Sequence, residues 1–280
     1  MAEVETKIMA QEKHRIRTIA TVEGEWGKNQ PLVESLRKSL FADYPDVLAD
    51  EIKPDPPIRG EHCEGRIFLK TDAKPKKQRH MHMNGERLKA MEEITDDWLK
   101  AKKIEPANGP WSSPCFPVAR TGKAWRGVID LRYMNDQCLE DSYPLPRIDD
   151  ILVKQGRKHI HSVLDLKDAF HQIPMRQEDR HITGTVTPRG LFQWRVVPMG
   201  WKNGVQYCQR NLEVSLAKVL DIASGYVDDI LIGSVKNDLA ADTVESLLLK
   251  HDKEIRETLD ELRKHQFVAS KRRHSSSKRR

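Results

Sequence analysis

The chain has 280 residues, enough for one large domain or two small ones at roughly 100–200 residues per domain. Its 48 Lys and Arg residues against 42 Asp and Glu give a net charge of +6, a weak indication of an anionic partner. Four cysteines without a C-x-x-C pair exclude a disulfide scaffold and disfavour a cysteine zinc site, so we expect an intracellular protein, cytoplasmic or nuclear. No apolar run approaches the ~18 residues of a membrane span, so no membrane partner is expected.

Both helices and strands are predicted in the first half of the chain. Residues 1–50 have mixed charge and helical character, and the proline-rich run 53–60 predicts an extended linker. Apolar residues at helical spacing predict an amphipathic helix over 84–103, with Asn84 as its N-cap. The predicted strands cover residues 65–69, 113–120 and 125–131. The last two of these strands are expected to pair around a turn at Gly122.

The second half of the chain predicts a similar mixture. The expected elements are a helix over 147–156, a strand over 160–164, strands over 182–187 and 192–197, a helix over 203–223 and a helix over 238–264. A tight hairpin with Asp228 and Asp229 at its tip precedes the last helix. Because these helices and antiparallel strands do not alternate regularly, the predicted fold class is α+β.

Three aspartates occur where apolar strands would not ordinarily carry charge. Asp228 and Asp229 are flanked by strongly apolar residues, and Asp165 ends the apolar run 163–166. One interpretation is that the adjacent acids simply form a polar turn. If the two strands are neighbours, however, the carboxylates converge and supply the oxygen ligands that Mg²⁺ prefers. Two such ions about 4 Å apart activate an attacking oxygen and stabilise a leaving pyrophosphate, which is phosphoryl-transfer chemistry.

A series of motifs resembles those of reverse transcriptases, in the same order and spacing. The run 226–229 is similar to the family's Y-x-D-D box, and 143–150 is nearly the Y-P-L-P-R-I-D-D of gypsy-type LTR retrotransposons. The remaining similar segments are 111–114, 126–135, 164–173 and 198–204. The sequence is therefore identified as a gypsy-type reverse transcriptase domain, a fragment of a Pol polyprotein.

The resemblance implies a right-hand polymerase fold with fingers, a palm built on an antiparallel sheet, and a largely missing thumb. It implies an RNA-directed DNA polymerase in which Asp165, Asp228 and Asp229 are catalytic and bind two Mg²⁺ ions, with Mn²⁺ as an alternative. The implied partners are an RNA or DNA template with its primer, and deoxynucleoside triphosphates. The implied domains are a helical or flexible segment, a linker with a fingers lead-in, the fingers and palm core, and a basic tail, at residues 1–52, 53–110, 111–268 and 269–280.

Matching positions also suggest contacts to the nucleotide. Arg126 corresponds to the fingers arginine that contacts the triphosphate, and Lys123 is a second candidate for a phosphate contact. Asp168 and Ala169 would contact the triphosphate through their backbone N–H groups. Phe170 takes the position of the aromatic residue that excludes a 2′-hydroxyl, with core packing as the alternative interpretation.

Two further positions are expected near the template and primer. Gly200 would let the template strand approach closely, because glycine has no side chain. Tyr226 would support the primer terminus, and a core role is nearly as good an interpretation.

Some residues depart from the family pattern. Asp168 and Ala169 replace the usual Ser-Gly, Gly204 and Val205 replace Ala-Pro, and Ile182 replaces a lysine. The run 271–280 is strongly basic and stands where the family continues into a primer-gripping hairpin, a thumb and RNase H. It predicts either a solvated tail or a nuclear-localisation or nucleic-acid contact.

Weak or absent processive synthesis is therefore expected. The alternative function is a truncated, catalytically weak or inactive remnant that binds nucleic acid. Another palm-type nucleotidyltransferase or cyclase also needs paired acids, but that class does not account for the run 143–150.

Overall fold

The computed structural model describes residues 17–18, 28–236 and 243–271. Two compact units make up the chain, and we describe each by itself. The first unit comprises Met1–Ile52, Pro146–Lys167 and Ser215–Arg280, and the second comprises Lys53–Leu145 and Asp168–Val214. The expectations for residues 1–16, 19–27 and 237–242, and for the basic run from 272 to 280, lie outside the described residues.

A four-stranded antiparallel sheet forms the centre of the first unit. Its spatial order is β1 (Arg17–Thr18), β6 (Ile160–Asp165), β10 (Asp229–Ser234) and β9 (Ala223–Tyr226). Its helices are α1 (Gln30–Asp43), α4 (Ile148–Gln155) and α6 (Val244–Lys264). A short parallel pair, β2 (Leu48–Ala49) with β11 (Ala269–Ser270), completes it.

Helix α6 supplies much of the core of this unit. Thr243 caps it, because its hydroxyl accepts a hydrogen bond from the Ser246 N–H at 3.1 Å. Its buried residues Val244, Leu247 and Leu248 pack with Ile160 of β6 and with three residues of α1, namely Leu32, Val33 and Leu36.

A buried polar network also joins α6 to the sheet. His251 is bound through Nε2 to the Ser162 hydroxyl at 2.8 Å and through Nδ1 to the Ser234 hydroxyl at 2.7 Å. Ser234 also donates to the Glu254 carboxylate. Because His251 is only 3% exposed, burial lowers its pKa, and together with the smaller effect of the nearby His161 it brings the value to about 4. The imidazole is therefore neutral at physiological pH.

The second unit contains a mixed five-stranded sheet. Its order is β3 (Ile104–Pro106), β8 (Gly190–Trp194), β7 (Thr185–Thr187), β4 (Ser113–Arg120) and β5 (Lys123–Ile129). The β4–β7 pair is parallel and the other pairs are antiparallel. Its helices are α2 (Gly85–Lys100), α3 (Arg132–Gln137) and α5 (Gly204–Leu216), and its 3₁₀ segments are Ala169–Gln172 and Gln177–Thr183.

Close packing fixes α2 against β5. A Cβ on Gly127 would lie 2.4 Å from the Trp98 ring and 2.8 Å from Ile94, so only glycine fits at this position. Trp98 in turn meets Trp194 of β8 edge to face, with ring centroids 4.9 Å apart. The sheet and helix of this unit thus share one aromatic core.

Several predicted elements differ from those observed. The expected strand over 65–69 is wrong, because Gly65 and Leu69 make only isolated bridges, to Met175 and Cys138. The expected strand over 182–187 begins at Thr185, since the segment before it closes into a 3₁₀ turn.

Two helix predictions also need correction. The helix predicted over 203–223 ends at Leu216, whose carbonyl accepts from the Val219 N–H at 2.9 Å in a tight turn. Asn84 is at the N-cap position of α2, but its side chain makes no capping hydrogen bond. Within the described part of the chain, no helix is both long and apolar enough to cross a membrane.

Candidate active site

Strand register brings two of the predicted carboxylates together. Asp165 is the last residue of β6, Asp229 is the first residue of β10, and the antiparallel register pairs them directly. Residues that face each other in this way project their side chains from the same face of the sheet. Asp165 is only 8% exposed, whereas Asp229 is exposed to solvent. The Asp165 residue is therefore buried, and its cross-strand partner Asp229 is exposed.

The third carboxylate belongs to the turn between β9 and β10. Tyr226 pairs with Asp229, so Val227 and Asp228 form a two-residue loop. The predicted tip, Asp228 with Asp229, is corrected by one residue. The Asp228 carbonyl accepts a hydrogen bond from the Leu166 N–H at 2.7 Å, which ties the turn to the residue after Asp165.

The turn stores backbone strain. Val227 has φ 57°, a left-handed conformation that a β-branched side chain strongly disfavours. Such outliers cost roughly 1–3 kcal/mol and persist only where the surrounding structure enforces them. Here the enforcing contacts are the Tyr226–Asp229 pair and the Leu166 hydrogen bond.

The electrostatics of this hairpin suit a cation. Directly opposed like charges destabilise a sheet, and a buried carboxylate is costly without compensation. The donor set consists only of carboxylate oxygens, which fits a hard divalent ion. In residues 17–18, 28–236 and 243–271, no three His, Cys, Asp or Glu side chains gather as a metal-binding group. The donor chemistry and the register nevertheless fit such an ion.

Tyr226 is the last residue of β9 and is half-buried. It is directly opposite Asp229 across the hairpin. The first unit thus collects Asp165, Asp228, Asp229 and Tyr226 in one region.

In the second unit, Arg126 contacts Met199, the residue that precedes Gly200. Arg126 is an exposed residue of β5, and its guanidinium donates to the Met199 sulfur at 2.9 Å. Gly200 has φ 96°, which strongly favours glycine, and its carbonyl accepts from the Asn135 side chain at 2.9 Å. The Asn135 side chain also accepts from the Lys202 N–H at 2.9 Å. Two segments that matched family motifs are therefore held together by one asparagine.

Two other charged residues belong to β5 or directly follow it. Lys123 opens β5 and pairs with Arg120, and the position of its side chain lies outside the described atoms. Asp130 follows β5 and accepts two hydrogen bonds from the Arg132 guanidinium, at 2.8 and 2.6 Å. These bonds hold the pKa of Asp130 below its ordinary value.

Asp168, Ala169 and Phe170 occupy a second part of this unit. Asp168 is left-handed, with φ 46° and ψ 48°, and Ala169 begins the following 3₁₀ segment and is buried. The half-buried Phe170 ring packs close to Gly204, where an added Cβ would lie 3.3 Å from two ring carbons. This contact supports the packing interpretation of Phe170 without excluding a surface role for the exposed part of the ring.

One charged neighbour of Asp168 was missed from the sequence. The Lys103 ammonium is 3.1 Å from the Asp168 carboxylate. The two residues are far apart along the chain, and Lys103 lies outside the segments that resemble the family. No spacing rule connects them, so only the folded structure reveals the pair.

A comparison with known proteins finds one matching family model and several similar proteins. The family model described as "Reverse transcriptase (RNA-dependent DNA polymerase)" matches residues 118–275, more than half of the chain. The chain is 30% identical over 235 residues to the Pol polyprotein of transposon 412 from Drosophila melanogaster. It is 28% identical over 202 residues to the enzymatic polyprotein of cauliflower mosaic virus. These matches cover 80% and 71% of this chain, but only 18% and 30% of the relatives' own lengths.

Solved structures show the same mixed α/β fold. The protease-reverse transcriptase of prototype foamy virus aligns over 96% of this chain and 35% of its own, with a TM-score of 0.70 and 17% identity. A foamy viral protease-reverse transcriptase bound to an RNA/DNA hybrid aligns over 93% of this chain and 34% of its own, also with a TM-score of 0.70, at 19% identity. The described fold therefore corresponds to a region of these larger proteins.

Proposed function

Because the chain belongs to the reverse transcriptase (RNA-dependent DNA polymerase) family, as a retroelement Pol domain, we propose that it catalyses RNA-directed DNA synthesis. Its substrates would be deoxynucleoside triphosphates and a primer on an RNA or DNA template. The observation that carries this proposal is the cross-strand pair Asp165–Asp229 next to the strained turn that contains Asp228. The structures of foamy viral relatives in complex with double-stranded DNA and with an RNA/DNA hybrid support a nucleic-acid template and primer as substrates.

The three aspartates would hold two Mg²⁺ ions, with Mn²⁺ as a substitute. When bound, these ions lower the pKa of the attacking hydroxyl and stabilise the pyrophosphate leaving group. The protein's own contribution is to fix three carboxylates on two strands and one turn. The strain at Val227 supports this role, because strained backbone is commonly retained at functional sites.

The fold assignment that we propose is the fingers and palm of a right-hand polymerase. The antiparallel sheet of the first unit would be the palm, and the mixed sheet of the second unit would belong to the fingers. Along the chain, the proposed functional segments are the N-terminal segment, the fingers lead-in, the polymerase core and the basic tail, at residues 1–52, 53–110, 111–268 and 269–280.

Nucleotide contacts would come from the second unit. The exposed Arg126 presents a planar fork of donors that suits phosphate oxygens, and Lys123 would add a second positive charge. The N–H groups of Asp168 and Ala169 would receive the triphosphate, while Phe170 would exclude a ribose 2′-hydroxyl.

The remaining contacts concern the template and the primer. Gly200 would let the template approach, and Tyr226 would support the primer terminus. All four cysteines are buried thiols, which suits the reducing site of action that we propose, the cytoplasm or nucleus.

Single-nucleotide addition tests this proposal. A labelled primer on an RNA template should gain one nucleotide in the presence of Mg²⁺ and a deoxynucleoside triphosphate. Asp228→Asn should abolish this addition while leaving RNA binding nearly unchanged, because phosphate contacts depend on basic residues. Asp221→Asn, which alters an exposed acid in the same unit, is the matched control and should retain activity.

Two results would contradict this proposal, the first at the level of the site and the second at the level of the activity. Undiminished addition by Asp228→Asn would show that the Asp228 carboxylate takes no part in the reaction. No addition by the unsubstituted chain, combined with intact RNA binding, would favour the non-catalytic nucleic-acid-binding function instead.

A further inference from the structure

The end of helix α2 fixes the backbone of Lys103. Lys102 has φ 52° and donates its N–H to Leu99, while Lys103 donates its N–H to Trp98, each at 2.9 Å. This pair of hydrogen bonds is a Schellman motif, which ends a helix at a defined residue. The Lys103 carbonyl also accepts from the Arg195 N–H at 2.9 Å. Hydrogen bonds on both sides therefore fix the point from which the Lys103 side chain starts.

The two adjacent lysines have different environments. The Lys103 ammonium is 3.1 Å from the Asp168 carboxylate, and the Lys103 side chain is only 14% exposed. The Lys102 ammonium is 3.4 Å from Asp55, and the Lys102 side chain is 58% exposed. Screening by water makes the exposed pair weak, whereas the largely buried ammonium interacts more strongly with its partner. Lys102 is thus a natural control for Lys103.

Asp168 needs a positive neighbour if anions are to bind beside it. Its carbonyl accepts from the His171 N–H at 2.8 Å, which fixes the turn that precedes the 3₁₀ segment. The backbone N–H of Asp168 is one of the two N–H groups assigned to the triphosphate, and the Asp168 carboxylate belongs to the same residue. Within one aspartate the carboxylate and the backbone N–H are only a few bonds apart, well inside the Debye length of about 8 Å, so an unneutralised carboxylate would repel the phosphates.

We propose that Lys103 is a positioning residue of the nucleotide site, which neutralises and orients Asp168 so that the triphosphate can reach the N–H groups of Asp168 and Ala169. This inference rests on the proposed polymerase function. It adds a residue outside every motif that resembled the family. It also accounts for an aspartate at a position where the family commonly has serine, because the charge of Asp168 is matched by Lys103.

The test measures binding of dATP with Mg²⁺ to the whole chain by titration calorimetry, and the KM and kcat of single-nucleotide addition. Lys103→Ala should weaken dATP binding and raise KM by about tenfold, with kcat changed less than twofold. Lys103→Arg should restore binding. Lys103→Ala combined with Asp168→Ser should also recover most of the affinity, because the negative charge that Lys103 no longer neutralises is then gone. Lys102→Ala should match the unsubstituted chain.

The outcomes separate this inference from the function on which it rests. Absence of dATP binding by the unsubstituted chain would overturn the proposed triphosphate site and this inference together. Normal dATP binding by Lys103→Ala would overturn the inference alone. So would a double variant as weak as Lys103→Ala, because a purely structural lysine gives no rescue when Asp168 becomes serine.

Discussion

The two units position their functional residues by different means. In the first unit, strand register brings Asp165 opposite Asp229, and a two-residue turn adds Asp228. In the second unit, individual side-chain contacts position the functional residues. Asn135 fixes Gly200, and Lys103 pairs with Asp168. A regular sheet can hold like charges close together, whereas isolated contacts allow single residues to change with less effect on their neighbours.

The largest expected effect comes from a change that separates stability from activity in the first unit. Asp165→Asn should lower nucleotide addition by at least about 100-fold, because a carboxylate that faces developing charge is lost. The same change removes repulsion from the buried end of β6, so the melting temperature without divalent metal should stay the same or rise. Activity assays and thermal unfolding in EDTA measure the two effects.

The experiment is informative because the activity is expected to fall while the melting temperature stays the same or rises. A marked fall in melting temperature together with the lost activity would mean that Asp165 supports the fold. The register would then hold the carboxylates for structural reasons.

An intermediate effect is expected from pH, and again in the first unit. His251 has a folded pKa of about 4, below its ordinary value of 6.5, so the unfolded chain binds more protons between these values. Stability contributed by this network is fully present above pH 6.5 and is lost as the pH falls towards 4. The loss amounts to at most about 3 kcal/mol.

Urea unfolding across this pH range measures the effect. His251→Gln should flatten the profile, whereas His62→Gln, at an exposed histidine of the second unit, should not change it. An unchanged slope in His251→Gln would show that other groups cause the acid sensitivity.

The sequence predicted the first unit's site better than the second unit's. Apolar strands interrupted by acids can be recognised from neighbouring residues alone, and the convergence of Asp165 with the Asp228 turn was predicted on the condition that the two strands pair. The register of β6 and β10 meets that condition. The turn itself was misplaced by one residue, because the unfavourable φ of Val227 gives no signal in the sequence. Helix α6 was similarly foreseeable from its apolar stripe.

Long-range contacts explain what sequence reasoning missed. Residues 65–69 were expected to form a strand, but they make only isolated bridges to single residues. The Gln177–Thr183 turn depends on the Thr183 hydroxyl, which donates to the Arg180 carbonyl at 2.6 Å. The Lys103–Asp168 pair depends on how α2 ends. None of these features repeats with a helical or strand period.

The smallest expected effect tests whether packing in the second unit tunes nucleotide choice. A Cβ on Gly204 would lie 3.3 Å from two carbons of the Phe170 ring, so Gly204→Ala should move the ring by a few tenths of an ångström. If Phe170 excludes a 2′-hydroxyl, this movement should raise the preference for dATP over ATP by about two- to threefold. The ratio of kcat/KM for the two nucleotides measures it.

Phe170→Ala provides the necessary background, because Gly204→Ala should not change the ratio once the ring is absent. A ratio that still changes in that background would mean that Gly204 acts through the start of α5. A single variant with an unaltered ratio and unaltered stability would mean that the ring yields away from the nucleotide. Either result would mean that the contact between Gly204 and the Phe170 ring does not tune nucleotide choice, and the packing of this ring would then be separate from any selection that the second unit makes.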